Sequence, residues 1–152
     1  MLFFNNLFEE DILSYDRIGV AFSGGVDSHV LLHLLANNLE EIDSIYALHV
    51  NHGLSPNSSV WQDHCENICK KLGVNFFSFD LKLNKNIHLN ENKLRELRYE
   101  KILSWANKRD VILTGHHKDD QTETILFRIL RGTGIKGLKG IHYENLIADT
   151  RI

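Results

Sequence analysis

An apolar run, a pair of glycines and a helical period follow one another within residues 17–35, and this order restricts the fold more than any other feature of the chain. Residues 17–22 (RIGVAF) are typical of a short buried strand. A 3.6-residue period then predicts a helix whose apolar side is formed by Val26, Val30, Leu31, Leu34 and Leu35. A strand, a tight turn and a helix N-terminus in this order aim backbone N–H groups and a positive dipole end at one small volume. The segment therefore predicts an anion-binding site.

The turn consists of residues 23–28 (SGGVDS), which we call the glycine turn. Its glycines, Gly24 and Gly25, can adopt positive φ and let a ligand approach the backbone where a β-carbon would collide. Ser23 and Ser28 add hydroxyl donors. Backbone and hydroxyl donors of this kind suit a phosphate group.

Asp27 leaves two interpretations open. Its carboxylate can orient a metal ion, or it can act only as a helix cap or first-turn charge in an ordinary turn. The turn is not a Walker A loop, because the pattern G-x-x-x-x-G-K-[ST] and its lysine are missing here. The missing lysine suggests a role for the nucleotide other than transfer of its γ-phosphoryl group.

The composition is that of a soluble globular domain. The chain has 152 residues, of which 43% are hydrophobic and 24% are charged, and this suits one domain with a sizeable core. The apolar N-terminal residues are soon interrupted by polar ones, so we predict no signal peptide, no membrane span and a cytoplasmic location. Cys65 and Cys69 lie four residues apart, a spacing that fits reduced thiols better than a metal site.

The charge distribution argues against nonspecific binding to nucleic acid, because that binding requires a strongly basic domain and the formal net charge here is −3. Basic residues nevertheless cluster in two segments, with Lys93, Arg95, Arg98 and Lys101 in one and Arg128, Arg131, Lys136 and Lys139 in the other. Such clusters fit a polyanion bound at a defined place, and they also fit ordinary solvated helix faces.

Strand-like and helix-like segments alternate along the rest of the chain. Further strands are predicted at residues 44–50, 74–81, 111–114 and 146–148, and helices at residues 1–16, 58–72, 91–108 and 119–130. Loops are predicted at residues 82–90 and at the glycine-rich residues 132–140. The alternation predicts βαβ units around a parallel sheet, which is an α/β fold.

Three polar clusters directly follow predicted strands: the glycine turn, residues 49–54 (HVNHGL) and residues 115–123 (GHHKDDQTE). Ligands of parallel sheets bind beyond the carboxyl ends of the strands. We therefore expect the three clusters to share one rim.

Five motifs resemble a known family. The glycine turn is similar to the PP-loop of the N-type ATP pyrophosphatases, which split ATP between the α- and β-phosphates. Residues 49–54 (HVNHGL), 115–124 (GHHKDDQTET) and 130–138 (LRGTGIKGL) resemble the tRNA(Ile)-lysidine synthetases within that superfamily. So does the pattern E-x-x-x-R-x-x-R-Y from Glu91 to Tyr99. The matching stretches span residues 17–140 in the order of the family.

The resemblance implies a fold and a reaction. The fold is a Rossmann-like, adenine nucleotide alpha hydrolase-like PP-loop domain with three αβα layers. The reaction uses ATP and Mg²⁺ to adenylate the C2 oxygen of the wobble cytidine of tRNA(Ile) with a CAU anticodon. The ε-amine of free L-lysine then displaces AMP. The resemblance also implies that residues 1–152 are the N-terminal catalytic domain of a longer enzyme, and it is compatible with a homodimer.

The resemblance further implies roles for individual residues. For ATP the implied contacts are Ser23, Gly24, Gly25, Val26, Asp27, Ser28, His49, His52, Gly115 and His116. The implied catalytic residues are Asp27, Arg95, Arg98 and Asp120, with Asp27 and Asp120 as Mg²⁺ ligands. The substrate lysine is assigned to Asp119, Asp120 and Glu123, and the tRNA to Arg131, Lys136 and Lys139. Tyr99 is expected to pack in the core.

Several alternatives stay open at this point. A PP-loop tRNA thiolase would need sulfur-handling cysteines, and Cys65 and Cys69 on one predicted helix do not supply an obvious set. A noncatalytic nucleotide-binding module would share the fold. Zinc could be bound by histidines that meet at the rim, but no ordered Cys/His ligand spacing is present.

Overall fold

The structure is a computed structural model that describes residue 12, residues 14–39, 44–81, 83 and 90–116, and two short strands near the end of the chain. The described elements occur in the order β1 (Arg17–Ala21), α1 (Val26–Asn38), β2 (Ile45–Asn51), α2 (Ser58–Leu72), β3 (Asn75–Asp80), α3 (Glu91–Leu103), β4 (Asp110–Leu113), β5 (Leu146–Ile147) and β6 (Thr150–Arg151). Strands and helices alternate as the sequence predicts.

The strands form one sheet in the order β3-β2-β1-β4-β6-β5. Strands β1 to β4 are parallel, β6 pairs parallel with β4, and β5 pairs antiparallel with β6. At the centre, Val20 of β1 is in register with Ala47 on one side and Leu113 on the other. The chain runs outwards from β1 through β2 to β3 and then returns to the opposite side of β1 with β4. The strand order therefore reverses at β1, and such a switch point opens a crevice at the carboxyl ends of the strands.

Helices cover both faces of the sheet. One core cluster joins β1 and β2 to α1 and α2, and its buried side chains include Val20, Leu35 and Cys69. The other lies on the opposite face, where Leu48 and Ile112 contact Ile102 of α3. Successive strand residues alternate between the two faces, so each central strand contributes to both clusters. The predicted three-layer αβα architecture is confirmed.

Helix α2 has the predicted bounds, and it ends at Gly73, whose φ of 72° gives the left-handed C-cap geometry that glycine tolerates best. Helix α3 is shorter than expected, because it stops at Leu103 and not at residue 108. The buried carboxylate of Asp110 accepts a hydrogen bond from the backbone N–H of Asn107 at 2.6 Å. This contact stabilises a turn where the helical period of the sequence would have continued.

The buried side of α1 agrees with the predicted one only in part: Leu35 is buried and Leu31 packs against the core, as predicted. Val26 and Val30 are 77% and 52% exposed, whereas Ser28, Leu32 and Leu35 are buried. The helix docks on the sheet through positions 28, 32 and 35, which have helical spacing, and of these Leu35 belongs to the predicted apolar side. Tertiary packing, not local hydrophobicity, decides which face of this strongly apolar helix is covered.

The remaining predictions fall into two groups. The strands predicted at 44–50, 74–81, 111–114 and 146–148 correspond to β2, β3, β4 and β5. The helix at 119–130 and the loop at 132–140 lie outside the described residues, as do most of the segments at 1–16 and 82–90. Among the described helices, none is long and apolar enough to cross a membrane.

Candidate functional site

A cleft of about 690 Å³ lies at the carboxyl edge of the sheet. Its walls come from the glycine turn after β1, the segment after β2, the N-terminal part of α2, one side of α3 and the segment after β4. The lining side chains include Asp27, His52, Trp61, Arg98 and His116. The described parts of the three polar clusters thus meet around one cavity at the switch point of the sheet.

The two glycines of the glycine turn have different conformations. Gly24 has a φ of 80°, in the region that side chains disfavour, whereas Gly25 has a φ of −72° and an extended conformation as the N-cap of α1. The expectation of positive φ is therefore wrong for Gly25. No described side chain caps this helix, and Asp27 lies in its first turn and lines the cleft. Asp27 is thus a first-turn acid and not the helix cap.

A short hydrogen-bond chain holds the glycine turn against α1. The Ser28 hydroxyl donates to the Gly25 carbonyl at 3.0 Å, and the Ser23 and Ser28 hydroxyl oxygens lie 3.1 Å apart. The Gly25 N–H donates to the Ser23 hydroxyl oxygen at 3.2 Å. Because Ser28 is buried and uses its single hydroxyl hydrogen within the turn, it holds the turn in shape. Ser23 is the exposed hydroxyl of the pair.

Gly115 brings the segment after β4 against the first turn of α1. A β-carbon at this position would lie 3.0 Å from the carbonyl carbon of Asp27 and 3.0 Å from the backbone nitrogen of Ser28. Backbone atoms cannot move aside as a flexible side chain can. A side chain here would push the backbone of α1 aside by a few tenths of an ångström, so close packing favours glycine and supports the peptide that carries Asp27.

His49 contacts the residue that precedes the glycine turn. Its side chain is 5% exposed, its Nδ1 lies 2.9 Å from the carbonyl oxygen of Phe22, and its ring stacks on Phe76. The carbonyl can only accept, so Nδ1 carries the hydrogen. Burial lowers the pKa of His49, although the bond to Phe22 opposes this shift. A neutral His49 fixes the residue that precedes the turn and does not offer a positive charge to phosphates.

We predict that His49 makes the protein less stable as the pH falls. With a folded-state pKa below the ordinary 6.5, the unfolded chain binds the proton more readily. The free energy of unfolding should therefore decrease as the pH drops through 6.5 towards the lower folded-state pKa. His49→Gln keeps an N–H donor but cannot titrate, so its urea-unfolding free energy should decline less between pH 7 and pH 5. His33→Gln, at an exposed site on α1, is the control, and equal slopes for His49→Gln and the parent would contradict the prediction.

His52 lines the cleft and has one ring nitrogen without a partner among the described residues. This nitrogen is the buried Nδ1. Burial lowers the pKa of His52, and the nearby charge of Arg98 lowers it further. The side chain is therefore neutral near pH 7 and can still accept or donate one hydrogen bond. By contrast, His116 is exposed, and its Nδ1 lies 2.9 Å from the hydroxyl of Thr114.

The two arginines of α3 occupy different places. The half-buried Arg98 lines the cleft, whereas the exposed Arg95 is not among the described residues that do so. Both guanidinium groups lie over the ring of Tyr99, at 5.5 Å for Arg95 and 5.8 Å for Arg98. Tyr99 itself is half-buried and lines the cleft, so the expectation of a core position is wrong. Its ring supports the cationic side of the cavity through cation–π contacts.

Trp61 is a cleft residue that the sequence analysis did not identify. Its indole Nε1 donates to the Ser23 carbonyl at 2.9 Å, and its side chain is 48% exposed. A usable signal was present, because Trp61, Cys65 and Cys69 are spaced at four residues and so share one face of α2. The two cysteines are fully buried, so this face of α2 packs against the sheet. Trp61 lies on the same face, one turn nearer the N-terminus of the helix.

The remaining candidate residues lie outside the described residues: Asp119, Asp120, Glu123, Arg131, Lys136 and Lys139. Their implied roles stay predictions.

Known proteins have similar sequences. A model of the PP-loop domain matches residues 3–152. The tRNA(Ile)-lysidine synthase of Pseudomonas syringae pv. tomato is 45% identical over 121 residues, which cover 78% of this chain and 27% of that protein. The tRNA(Ile)-lysidine synthase of Buchnera aphidicola subsp. Schizaphis graminum is 39% identical over 137 residues, which cover 88% of this chain and 30% of that protein. The chain thus spans less than a third of the length of these relatives.

A solved structure supports the fold independently. The U34-tRNA thiolase NcsA from Methanococcus maripaludis, solved with its [4Fe-4S] cluster, superposes with a TM-score of 0.66. The match covers 83% of this chain and 47% of that one, at 24% identity, and it is therefore evidence of a common fold alone. The resemblance inferred from the motifs is confirmed at the level of sequence and fold. With the domain match extending over nearly its whole length, the chain belongs to the PP-loop domain family.

Proposed function

We propose that this chain is the ATP-using domain of a ligase that forms lysidine. The enzyme joins lysine to C2 of the wobble cytidine in tRNA(Ile) with a CAU anticodon, and releases AMP and pyrophosphate. The observation that carries the proposal is the meeting of the glycine turn with the segments after β2 and β4 around one cleft. The glycine turn resembles the PP-loop, and the segments after β2 and β4 belong to two of the motifs that resemble the lysidine synthetases.

The glycine turn is suited to hold the pyrophosphate end of ATP. The first N–H groups of α1 have no intrahelical partners, and the helix dipole adds a partial positive charge at the same place. Ser23 contributes an exposed hydroxyl at the rim of the cleft. Because negative charge grows on the leaving pyrophosphate as the α–β bond breaks, preorganised donors at this position lower the barrier.

The residues present fit Mg²⁺ bound together with ATP. No group of three or more His, Cys, Asp or Glu side chains that could hold a metal alone occurs among the described residues. Mg²⁺ does not need such a group, because it usually keeps several waters and binds one or two carboxylates plus substrate phosphates. Asp27, exposed in the first turn of α1 and lining the cleft, would be the carboxylate. The ion would neutralise charge on the phosphate oxygens.

Arg98 is the cation best suited to act on the α-phosphate. It lines the same cleft as the glycine turn, and a guanidinium can donate two hydrogen bonds to phosphate oxygens. Attack by the cytidine O2 on the α-phosphorus breaks the bond to pyrophosphate and forms an adenylated base. The lysine ε-amine then attacks C2, and AMP leaves with the oxygen. Arg95 remains a proposed catalytic residue without a described contact to the cleft.

The lysine and tRNA contacts belong to the proposal as well. An amine must lose a proton before it attacks, so a carboxylate among Asp119, Asp120 and Glu123 has a chemical reason to lie near the adenylate. The basic side chains of Arg131, Lys136 and Lys139 would attract tRNA phosphates. A homodimer and a cytoplasmic location are also proposed on the family resemblance.

The cysteines weigh against the thiolase alternative. The sequence contains two cysteines, and both are buried in α2 behind the glycine turn. Burial raises the pKa of Cys65 and raises that of Cys69 to about 12. Thiols with such pKa values are protonated near pH 7, whereas sulfur transfer needs a thiolate.

The test is a comparison of co-substrates. The full-length protein is incubated with ATP, Mg²⁺ and a transcript of tRNA(Ile) bearing the CAU anticodon, and AMP formation is measured with and without L-lysine. We expect AMP formation that requires both tRNA and lysine. Formation that requires sulfide instead of lysine would support a thiolase. ATP binding without turnover under all conditions would support a noncatalytic module and contradict the proposal.

A further inference from the structure

The indole of Trp61 lies directly against the glycine turn. Its Nε1 donates to the Ser23 carbonyl at 2.9 Å, and this contact joins residues that are 38 positions apart. A β-carbon at Gly24 would lie 3.1 Å from the same nitrogen. Residue 61 also lines the cleft, so its indole bridges helix α2 and the proposed phosphate site.

The hydrogen bond determines the orientation of one peptide group. In a trans peptide the carbonyl and the following N–H point in opposite directions, so the Gly24 N–H points away from the Trp61 indole. A glycine accepts positive and negative φ almost equally, and the peptide before Gly24 could therefore rotate to the opposite orientation at little steric cost. The indole donor stabilises one of the two orientations, because only that orientation brings the Ser23 carbonyl within hydrogen-bonding distance of Nε1.

We propose that Trp61 is a positioning residue that keeps the glycine turn in its anion-binding conformation. The role rests on the proposed function, since it assumes that ATP binds at this turn. Without the indole donor, part of the population holds the peptide in the rotated orientation. In these molecules the Ser23 carbonyl oxygen takes the place of the Gly24 N–H donor. ATP then binds only to the remaining fraction, so its apparent affinity falls in proportion. Once ATP is bound the turn is in the correct orientation, and the chemical step is little changed.

The competing explanation is that the indole merely fills space behind Gly24. The Sγ of Cys65 would lie 2.6 Å from a β-carbon at Gly24, so α2 already packs tightly against the turn.

Two replacements of Trp61 distinguish the two explanations. Trp61→Phe removes the donor and part of the ring. β-(3-Benzothienyl)alanine at position 61 keeps the shape of the indole and replaces its N–H with sulfur.

The experiment uses the full-length protein with tRNA and lysine at saturation. It measures the ATP dependence of pyrophosphate release, the Kd of ATP by calorimetry and the Tm. If about nine-tenths of the molecules hold the rotated peptide, KM and Kd for ATP should rise about tenfold in both replacements, with kcat within about twofold of the parent. The control is Val60→Ala, at an exposed position of α2 next to Trp61, which should leave KM and Kd unchanged.

Each other outcome overturns the inference. If the benzothienyl protein binds ATP like the parent, the N–H has no positioning role, even where Trp61→Phe lowers the Tm or fails to fold. A fall in kcat at unchanged KM would place Trp61 in the chemical step instead. A parent protein that neither binds ATP nor releases pyrophosphate would overturn the proposed function together with this inference, and is recognised before any variant is made.

Discussion

Asp27→Ala is expected to lower the rate of tRNA-dependent pyrophosphate release by about a thousandfold or more. The carboxylate lines the cleft from the first turn of α1, where it would hold Mg²⁺ against the phosphates of ATP. Metal stabilisation of the developing charge is worth several kcal/mol, and about 4 kcal/mol corresponds to a thousandfold in rate. The expected loss therefore lies in kcat, with a smaller effect on the binding of ATP alone.

The fold should survive this substitution. Asp27 is exposed, and the N-cap position of α1 is held by Gly25. Removal of a first-turn acid costs roughly 0.3–1 kcal/mol of stability through the helix dipole. Asp27→Asn retains the size of the side chain and should be nearly as inactive as Asp27→Ala.

Asp63→Ala is the matched control for activity. Asp63 is an exposed acid on α2, outside the described lining of the cleft, and its loss should leave the rate of pyrophosphate release unchanged. Rates are measured over a range of Mg²⁺ concentrations, alongside thermal unfolding of each variant. Parental turnover by Asp27→Ala at every Mg²⁺ concentration would show that the metal assignment is wrong.

Gly24→Ala is expected to lower the free energy of unfolding by about 3 kcal/mol and to abolish tight binding of ATP. Roughly 1–2 kcal/mol comes from placing a side chain in the left-handed region, since φ is 80°. A further 1–3 kcal/mol comes from the collision, because the new methyl group would lie 2.6 Å from the Sγ of Cys65. The glycine turn must move away from α2 to relieve it, which also breaks the bond from Trp61 to Ser23.

Gly53 offers a control within the same chain. Its φ is 65°, close to that of Gly24, but a β-carbon there would contact nothing within 4 Å. Gly53→Ala should therefore cost about 1–2 kcal/mol, the strain alone. Urea unfolding measures the free energy of unfolding of both variants. The extra loss in Gly24→Ala is the cost of the collision with Cys65. Equal losses of stability would contradict the packing argument.

Removal of the colliding sulfur gives a second check. In a double-mutant cycle, Cys65→Ala should recover part of the stability lost by Gly24→Ala, because the methyl group gains the volume of the thiol. Residues in contact typically show coupling energies of about 0.5–3 kcal/mol. Strict additivity of the two substitutions would indicate that the strain at Gly24 arises elsewhere.

Local patterns were sufficient where local physics decides the structure. The spacing of apolar residues and the position of Gly73 predicted α2 with its observed bounds. The order of the segments predicted the parallel sheet, and the rule that ligands bind at strand ends placed three polar clusters on one rim. The described part of that rim agrees with the prediction, because parallel strands must end on the same side.

Local patterns failed where a choice depended on distant residues. The apolar side of α1 was predicted only in part, since Leu35 is buried as expected but the equally apolar Val26 and Val30 are exposed. Arg95 and Arg98 could not be separated by sequence, because a rotation of the helix on the sheet decides that Arg98 lines the cleft. The helical period also continued past Leu103, where the buried carboxylate of Asp110 stabilises a turn instead.

The sequence by itself determined the fold class, the family and the location of a glycine turn between a strand and a helix. These follow from periodicity, glycine placement and motif order, all of which are properties of neighbouring residues. Tertiary structure alone decided that His49 is a neutral support beneath the turn, that Gly115 packs on its backbone and that Trp61 contacts Ser23. Those roles come from contacts between residues far apart in the chain, and such contacts exist only once the layers have packed.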